Sequence, residues 1–243
     1  MTALGILYPG HFAEDDYARI EQLIGSDIRV DLVRIEVAED IHRTDALREM
    51  GSPERLAASV EGLRLAGAEA VVWASPSGSL GYGWQGAQEQ VRALARAAGM
   101  PASSTSFAFV HAVRELGVRR VAVGAPCPQN VADLFADFLR AGGVEVAAVQ
   151  AAGAVTPEEV AGWGEAETLA LARAADAAGA EAVVLPDTAW HTAAYLPLLE
   201  ESLGKPVLTA NQVTVWEGLR LADRRVNAPA LGALFTREPI VQV

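Results

Sequence analysis

Two polar residues, Ser75 and Asp187, occupy equivalent positions after a repeated stretch of sequence. Residues 66–72 read AGAEAVV, and residues 178–184 read AGAEAVV again. Each copy predicts the end of a helix followed by a buried, Val-rich strand. Because ligands of open parallel sheets bind just beyond the carboxyl ends of the strands, the repeat indicates one candidate site residue in each half of a duplicated protein.

The two residues differ in the chemistry that they can perform. A carboxyl group in a closed cleft has its charged form disfavoured, which raises its pKa towards the range useful for proton transfer. A serine hydroxyl needs an activating base before it can act as a nucleophile. We therefore predict Asp187 as the catalytic acid or base, with Ser75 as a second catalytic candidate. In the alternative interpretation, Asp187 only caps the helix that follows it.

His191 is the third catalytic candidate. It follows Asp187 by four residues, so the two side chains would share one face if the segment between them is helical. His191 could then share the proton transfer with Asp187. A histidine on the helix surface, or one that only supports Asp187, is the more common situation.

Strand and helix patterns alternate along the whole chain, which predicts an α/β fold with parallel sheets. Ser52 is expected to cap a helix that begins at Pro53, and Thr156 to cap another. Further helices are predicted over 165–178 and near 192–203. The chain shows no linker, so the two duplicated halves are expected to pack closely, with a cleft between their strand ends.

Composition limits the classes of partner and cofactor. The 243 residues carry a net charge of −12, whereas binding to a phosphate backbone requires a basic face, so we expect no nucleic acid partner. The sequence contains no apolar run of transmembrane length and no basic leader, and it has a single Cys, so we expect a cytoplasmic protein without a membrane partner. The spacings typical of metal or nucleotide sites are missing, so we expect neither.

Several motifs, taken in their order and spacing, resemble a known family. The chain resembles the aspartate/glutamate racemase superfamily and, within it, the maleate isomerase and arylmalonate decarboxylase branch. The matching segments are GILYP at 5–9, ASPSGS at 74–79, LGVRRVAV at 116–123, LPDT at 185–188 and PVLTANQ at 206–212.

The resemblance implies a fold, an activity and an assembly. The fold would be two pseudo-symmetric Rossmann-like lobes, each a parallel sheet flanked by helices, with the active site between them. We place the lobes at 1–107 and 108–215, and expect 216–243 to pack back on the first lobe. The activity would be cofactor-independent decarboxylation or isomerisation of a small carboxylate or dicarboxylate, in a homodimer or homotetramer.

The resemblance also implies roles for individual residues. The two cysteines of the family correspond to Ser75 and Asp187 here, and the only Cys, Cys127, stands where the branch usually has a Tyr that holds a carboxylate. Backbone amides and hydroxyls at a strand-to-helix turn can bind an anion, although an ordinary Gly/Ser loop has the same composition. The predicted substrate-binding residues are Ser77, Gly78, Ser79, His11, Cys127, Thr188 and Asn211.

Three functions stay open at this point. The first is an enzyme that decarboxylates or isomerises a small carboxylate with Asp187 as the proton donor. The second is a carboxylate-binding homologue that has lost activity together with its thiols. The third is a hydrolase or hydratase in which Asp187 and His191 activate water.

Overall fold

The structure is a computed structural model that describes residues 1–10, 12–25, 27–36 and 48–236. Its strands form two separate sheets of four parallel strands, in the orders β2-β1-β3-β4 and β6-β5-β7-β8. The strands are β1 (Thr2–Pro9), β2 (Ile28–Ile35), β3 (Ala70–Trp73), β4 (Ala102–Ser104), β5 (Arg120–Ala125), β6 (Glu145–Ala151), β7 (Ala182–Leu185) and β8 (Val207–Thr209). The predicted α/β class and the predicted pair of parallel sheets are confirmed.

Helices connect the strands throughout the described part of the chain. They are α1 (Glu14–Ile24), α2 (Pro53–Leu65), α3 (Ser77–Leu80), α4 (Gly83–Ala98), α5 (Thr105–Glu115), α6 (Gln129–Ala141), α7 (Pro157–Ala161), α8 (Glu165–Ala175), α9 (Leu196–Leu203) and α10 (Ala210–Leu221). Short 3-10 turns lie at Ala193–Tyr195, Pro229–Leu231 and Ala233–Phe235. None of the helices in these ranges is long and apolar enough to cross a membrane.

The predicted helix starts at Ser52 and Thr156 are confirmed. The Ser52 hydroxyl accepts from the amide of Arg55 at 3.4 Å, and the Thr156 hydroxyl accepts from the amide of Glu159 at 3.3 Å. Each bond satisfies an amide that the first helical turn leaves without a backbone partner. The helix predicted over 165–178 ends earlier, at Ala175, and the one near 192–203 divides into a 3-10 turn and α9.

The duplication appears in the way the sheets are paired. In the first sheet, β3 lies beside β1, with Leu4 opposite Ala70. In the second, β7 lies beside β5, with Val121 opposite Ala182. The two copies of the repeated sequence therefore supply the same internal strand of each sheet, and both strands are completely buried.

Helices α5 and α10 bring the two halves together. The hydroxyls of Thr105 on α5 and Thr214 on α10 are buried and lie 2.6 Å apart. Although α10 follows the last strand of the second sheet, it packs on β1, β3 and β4 of the first sheet as well as on β8. A Cβ at Gly218 would lie 3.3 Å from the Leu4 side chain, so a small residue allows this close approach.

The boundary that we placed between 107 and 108 falls within α5, and the division into lobes at that residue stays a prediction.

Candidate active site

One cavity contains both Ser75 and Asp187. Ser75 follows β3 of the first sheet, Asp187 follows β7 of the second, and both line a cavity of about 60 Å³. This volume is several times the space that one water molecule needs. The duplicated strands thus bring the two equivalent residues to a shared space, as the repeat predicts.

The cavity has a polar part and an apolar part. The polar part includes Ser75, Ser77, Thr156, Asp187 and Thr188. The apolar part comes from both halves of the chain, and the sequence patterns did not indicate it. Its residues are Phe12, Met50, Leu80, Val131, Phe135 and Val160. Among the described residues, no Lys or Arg lines the cavity. A ligand with both a polar and an apolar part would match this division.

The loop after β3 is held mainly by bonds within its own lobe. Ser75 is almost fully buried, and its hydroxyl oxygen accepts from the amide of Gly78 at 3.0 Å. The amides of Ser79 and Leu80 both donate to the carbonyl of Pro76. Two amides of the predicted anion-binding turn, those of Gly78 and Ser79, are therefore already in use, and so is that of the following Leu80. A role for Gly78 in binding stays a prediction that requires this bond to Ser75 to break.

Ser79 is directed away from the cavity. Its hydroxyl donates to Gln90 Oε1 at 2.8 Å, and Gln90 Nε2 donates to the carbonyls of Gly51 and Gly78. Ser79 and Gln90 are both buried, and neither lines the cavity. The contacts of Ser79 thus stabilise the loop, whereas Ser77 lines the cavity directly.

The loop after β7 has no regular structure. Asp187 is half-buried, and its Oδ1 accepts from the amide of Ala189 at 2.9 Å, which forms a local turn. The next helical turn begins only at Ala193, after Thr192. The interpretation of Asp187 as a helix cap is therefore wrong.

The environment of Asp187 favours its uncharged form. Burial raises the pKa of its carboxyl group from 3.8 to about 6, while the hydrogen bond from the Ala189 amide opposes this rise. A carboxyl group with a pKa near neutrality can both donate and accept a proton at physiological pH. This is the electrostatic state that a proton donor in a cleft requires.

His191 lies apart from Asp187. Residues 187–192 form turns rather than a helix, so the premise that placed the two side chains on one face is wrong. His191 Nε2 lies 2.7 Å from Asp15 Oδ1 on α1, and His191 does not line the cavity. The structure gives no support to a joint action of Asp187 and His191 on water.

Asn211 is also absent from the cavity wall. It is completely buried, and its Nδ2 donates to Asp16 Oδ2 at 2.9 Å and to the carbonyl of Trp190 at 3.1 Å. Asp16 accepts in addition from the amides of Thr192 and Ala193. Burial raises the pKa of Asp16, and these donors oppose the rise. Sequence reasoning missed Asp16 because an acidic residue in a first helical turn is common and has a simpler explanation in the helix dipole.

Cys127 and Thr188 line the cavity as predicted for binding residues. Burial raises the pKa of the Cys127 thiol to about 12, and the nearby Asp187 carboxylate adds to this rise, so the thiol stays protonated. The Thr188 hydroxyl donates to the carbonyl of Ala74 at 3.0 Å. His11 lies outside the described residues. The binding roles of these three residues stay predictions.

The described residues contain no group of three or more His, Cys, Asp or Glu side chains arranged to hold a metal ion. Among the described residues, the cavity offers hydroxyl groups, the Cys127 thiol and the Asp187 carboxyl group. Of these, only Asp187 has a pKa near neutrality.

Comparisons with known proteins agree with the resemblance seen in the sequence. The family model described as arylmalonate decarboxylase matches residues 50–235. The arylmalonate decarboxylase of Bordetella bronchiseptica is 30% identical over 146 residues, which are 59% of this chain and 61% of that protein. The match thus spans less than two thirds of that relative.

Solved structures share the fold along nearly the whole chain. A crystal structure of arylmalonate decarboxylase has a TM-score of 0.79 at 23% identity, covering 97% of this chain and 100% of the other. The maleate isomerase of Pseudomonas putida S16, solved with maleate, has a TM-score of 0.87 at 18% identity and 97% coverage of both chains. A mutant maleate cis-trans isomerase of Nocardia farcinica with a covalent succinylcysteine intermediate has a TM-score of 0.88 at 20% identity, covering 98% and 99%.

Proposed function

Because the chain belongs to the arylmalonate decarboxylase family, we propose that it is a cofactor-independent enzyme that decarboxylates a small acid with Asp187 as the proton donor. The observation that carries the proposal is the position of a carboxyl group with a pKa of about 6 in the same cavity as Ser75. The relatives named above are decarboxylases and isomerases, which fits this class of reaction.

The proposed reaction needs no nucleophile on the protein. The bond between the α-carbon and one carboxylate breaks, CO₂ leaves, and the electron pair stays on the α-carbon. A second carboxylate on that carbon would delocalise the charge. Uncharged Asp187 then donates its proton to the α-carbon, and the resulting carboxylate regains a proton from water. General acid catalysis of this kind contributes about 10²- to 10⁴-fold to the rate.

The apolar wall supports an acid with a bulky apolar substituent. Phe12, Phe135 and Val160 offer surface to such a group, while Ser75 and Ser77 offer hydroxyls to a carboxylate. The described part of the wall has no cation that would balance the charge of a dianion beside Asp187. Binding of a dianion would therefore favour the uncharged form of Asp187 still further. The ligand would therefore bind together with the proton that the reaction consumes.

Isomerisation by proton transfer is less well supported than decarboxylation. Such a reaction needs one group to remove a proton and a second to return it on another face or carbon. Ser75 is the candidate opposite Asp187, but its only hydrogen bond among the described residues comes from the amide of Gly78. Without a base to activate it, a serine hydroxyl is a poor proton acceptor.

The decisive experiment measures CO₂ release from a panel of malonates with aryl and alkyl α-substituents, with maleate in parallel. We expect the wild-type protein to release CO₂ and, in D₂O, to place deuterium on the α-carbon of the product. Asp187→Asn should lower kcat by at least about 10²-fold. Asp133→Asn, on the exposed face of α6, is the matched control and should leave kcat unchanged.

Two outcomes contradict the proposal. If Asp187→Asn retains turnover within about threefold of the wild type, another group donates the proton. If no substrate in the panel is converted while an α-substituted malonate raises the Tm, the protein is the carboxylate-binding homologue instead.

We also propose that the protein is a cytoplasmic homodimer or homotetramer. The single Cys and the acidic composition support a reducing, water-filled compartment. Sedimentation velocity of the purified chain tests the assembly, and a monomer at micromolar concentration would contradict it.

A further inference from the structure

Thr188, the residue after Asp187, is bound from the opposite lobe by two hydrogen bonds. Its carbonyl oxygen accepts from the Tyr8 hydroxyl at 2.9 Å, and its own hydroxyl donates to the carbonyl of Ala74 at 3.0 Å. Both bonds are buried, and both partners lie at the carboxyl ends of strands in the first sheet. Ala74 directly precedes Ser75, so a single hydrogen bond links the neighbours of the two equivalent residues.

The Tyr8 hydroxyl joins two walls of the cavity. Besides donating to Thr188, it accepts from the amide of Ala13 at 2.9 Å. Ala13 follows Phe12, whose side chain lines the cavity from the first lobe. One hydroxyl therefore fixes the backbone beside Phe12 and the backbone beside Asp187 at the same time.

Tyr8 itself is outside the cavity. Its side chain is completely buried, it packs edge-on against Tyr17 with ring centroids 5.5 Å apart, and it does not line the cavity. Burial raises the pKa of the Tyr8 hydroxyl well above its usual value, so it stays a hydrogen-bond donor at every pH of interest. Tyr8 thus holds its proton and cannot exchange it with a substrate.

We infer that the attachment of Thr188 to the first lobe, by the bond from Tyr8 and by the bond to Ala74, positions the Asp187 carboxyl group in the cavity that it shares with Ser75. The inference rests on the proposed function of Asp187. The loop after β7 has no helix or strand of its own, so its position depends on bonds to other parts of the molecule. Catalysis is sensitive to such positions, because a displacement of about 1 Å can lower a rate by about 10²-fold.

The test compares Tyr8→Phe with Tyr17→Phe. The two rings pack against each other, but among the described residues the Tyr17 hydroxyl makes no hydrogen bond to either wall of the cavity. In Tyr8→Phe we expect kcat to fall by about 10- to 100-fold, with KM changed by less than about threefold. In Tyr17→Phe we expect kcat to stay within about twofold of the wild type, because the loops of the cavity keep all their bonds.

A second readout is independent of turnover. The pKa of Asp187, followed by ¹³C NMR of its carboxyl carbon, should fall towards 3.8 in Tyr8→Phe, because the released loop exposes the group to water. It should stay unchanged in Tyr17→Phe. If no substrate is ever found, the proposed function fails but this titration still tests the position of Asp187.

If Tyr8→Phe does not fold, Thr188→Val tests the other bond of the same attachment, because it keeps the carbonyl that accepts from Tyr8. Valine keeps the shape of threonine and removes the bond to Ala74, so the pKa of Asp187 should again fall. The inference is overturned if Tyr8→Phe, or Thr188→Val in its place, leaves the pKa of Asp187 at the wild-type value. It is also overturned if Tyr8→Phe turns over substrate as fast as Tyr17→Phe.

Discussion

The loops after β3 and β7 follow two copies of the same seven-residue sequence, yet their hydrogen bonds go to different parts of the molecule. The first loop forms the short helix α3 and is bonded mainly inside its own lobe, from Gly78 to Ser75 and through Gln90 to Gly51, with one bond to the other lobe at Ala74. The second loop has no regular structure and is bonded to the other lobe, through Tyr8 and Asp16. The wall that carries Ser75, called here the fixed wall, thus takes most of its bonds from its own lobe, whereas the wall that carries Asp187, the dependent wall, is attached to the other lobe.

The two walls also carry different chemical groups. The fixed wall offers the hydroxyls of Ser75 and Ser77. The dependent wall carries Asp187, which among the described residues of the cavity is the ionisable group with a pKa near neutrality. Any change in the packing of the lobes would therefore move the proposed proton donor relative to the proposed binding surface.

The largest effect is expected from Asp16→Ala, which removes the second attachment of the dependent wall. The buried amides of Thr192 and Ala193 and the Asn211 side chain would lose their acceptor, at a cost of about 4 kcal/mol in the free energy of unfolding. Urea unfolding followed by circular dichroism measures this cost. Asp15→Ala is the matched control one residue earlier, and equal losses in the two variants would show that the bonds of Asp16 contribute little.

Gln90→Leu tests the wall that is bonded within its own lobe. Leucine has a similar size but leaves the carbonyls of Gly51 and Gly78 and the Ser79 hydroxyl without their partner, so we expect a loss of about 3 kcal/mol. The pKa of Asp187 should stay unchanged, because the second loop keeps its bonds to Tyr8 and Asp16. A shift in that pKa, measured by ¹³C NMR, would show that the two walls are coupled.

A pH dependence is expected from Asp187 itself. Its pKa in the folded protein, about 6, lies above the ordinary 3.8, so its uncharged form stabilises the fold. This stabilisation contributes fully to the free energy of unfolding below about pH 4 and is lost as the pH rises through 6. Asp187→Asn has no such loss, so its stability relative to the wild type should increase by about 2 kcal/mol between pH 4 and pH 8.

The measurement is urea unfolding of both proteins at the two pH values. Asp133→Asn is the control, because an exposed carboxyl group should give the same difference from the wild type at both. A constant difference for Asp187→Asn would mean that Asp187 is as solvated as Asp133, and the dependent wall would then lack a tuned proton donor.

The smallest effect is expected from His191→Gln, on the outer side of the second loop. The Asp15 side chain in its pair is 81% exposed, and exposed pairs of this kind contribute less than about 1 kcal/mol. We expect the free energy of unfolding to change by about 0.5 kcal/mol or less, and kcat to stay within about twofold. A large loss of turnover would restore His191 as a catalytic candidate.

The sequence alone predicted the equivalence of the two loops. The repeated AGAEAVV, with its Val-rich end, fixed the two buried strands and placed Ser75 and Asp187 after them. The alternation of strands and helices predicted parallel sheets, and Ser52 and Thr156 predicted helix starts, because caps and periodicities depend on residues close together in the chain. The family resemblance followed from the same local segments.

Only the tertiary structure decided which polar side chains have hydrogen-bond partners inside the protein and are therefore not available to a ligand. Asn211 and Ser79 have the residue types of ligand contacts, but they bond to Asp16 and to Gln90. The position of His191, the apolar wall and the raised pKa of Asp187 likewise depend on neighbours distant in the sequence. Tyr8 and Thr188 are 180 residues apart, and no local pattern encodes a hydrogen bond that forms only when two lobes pack together.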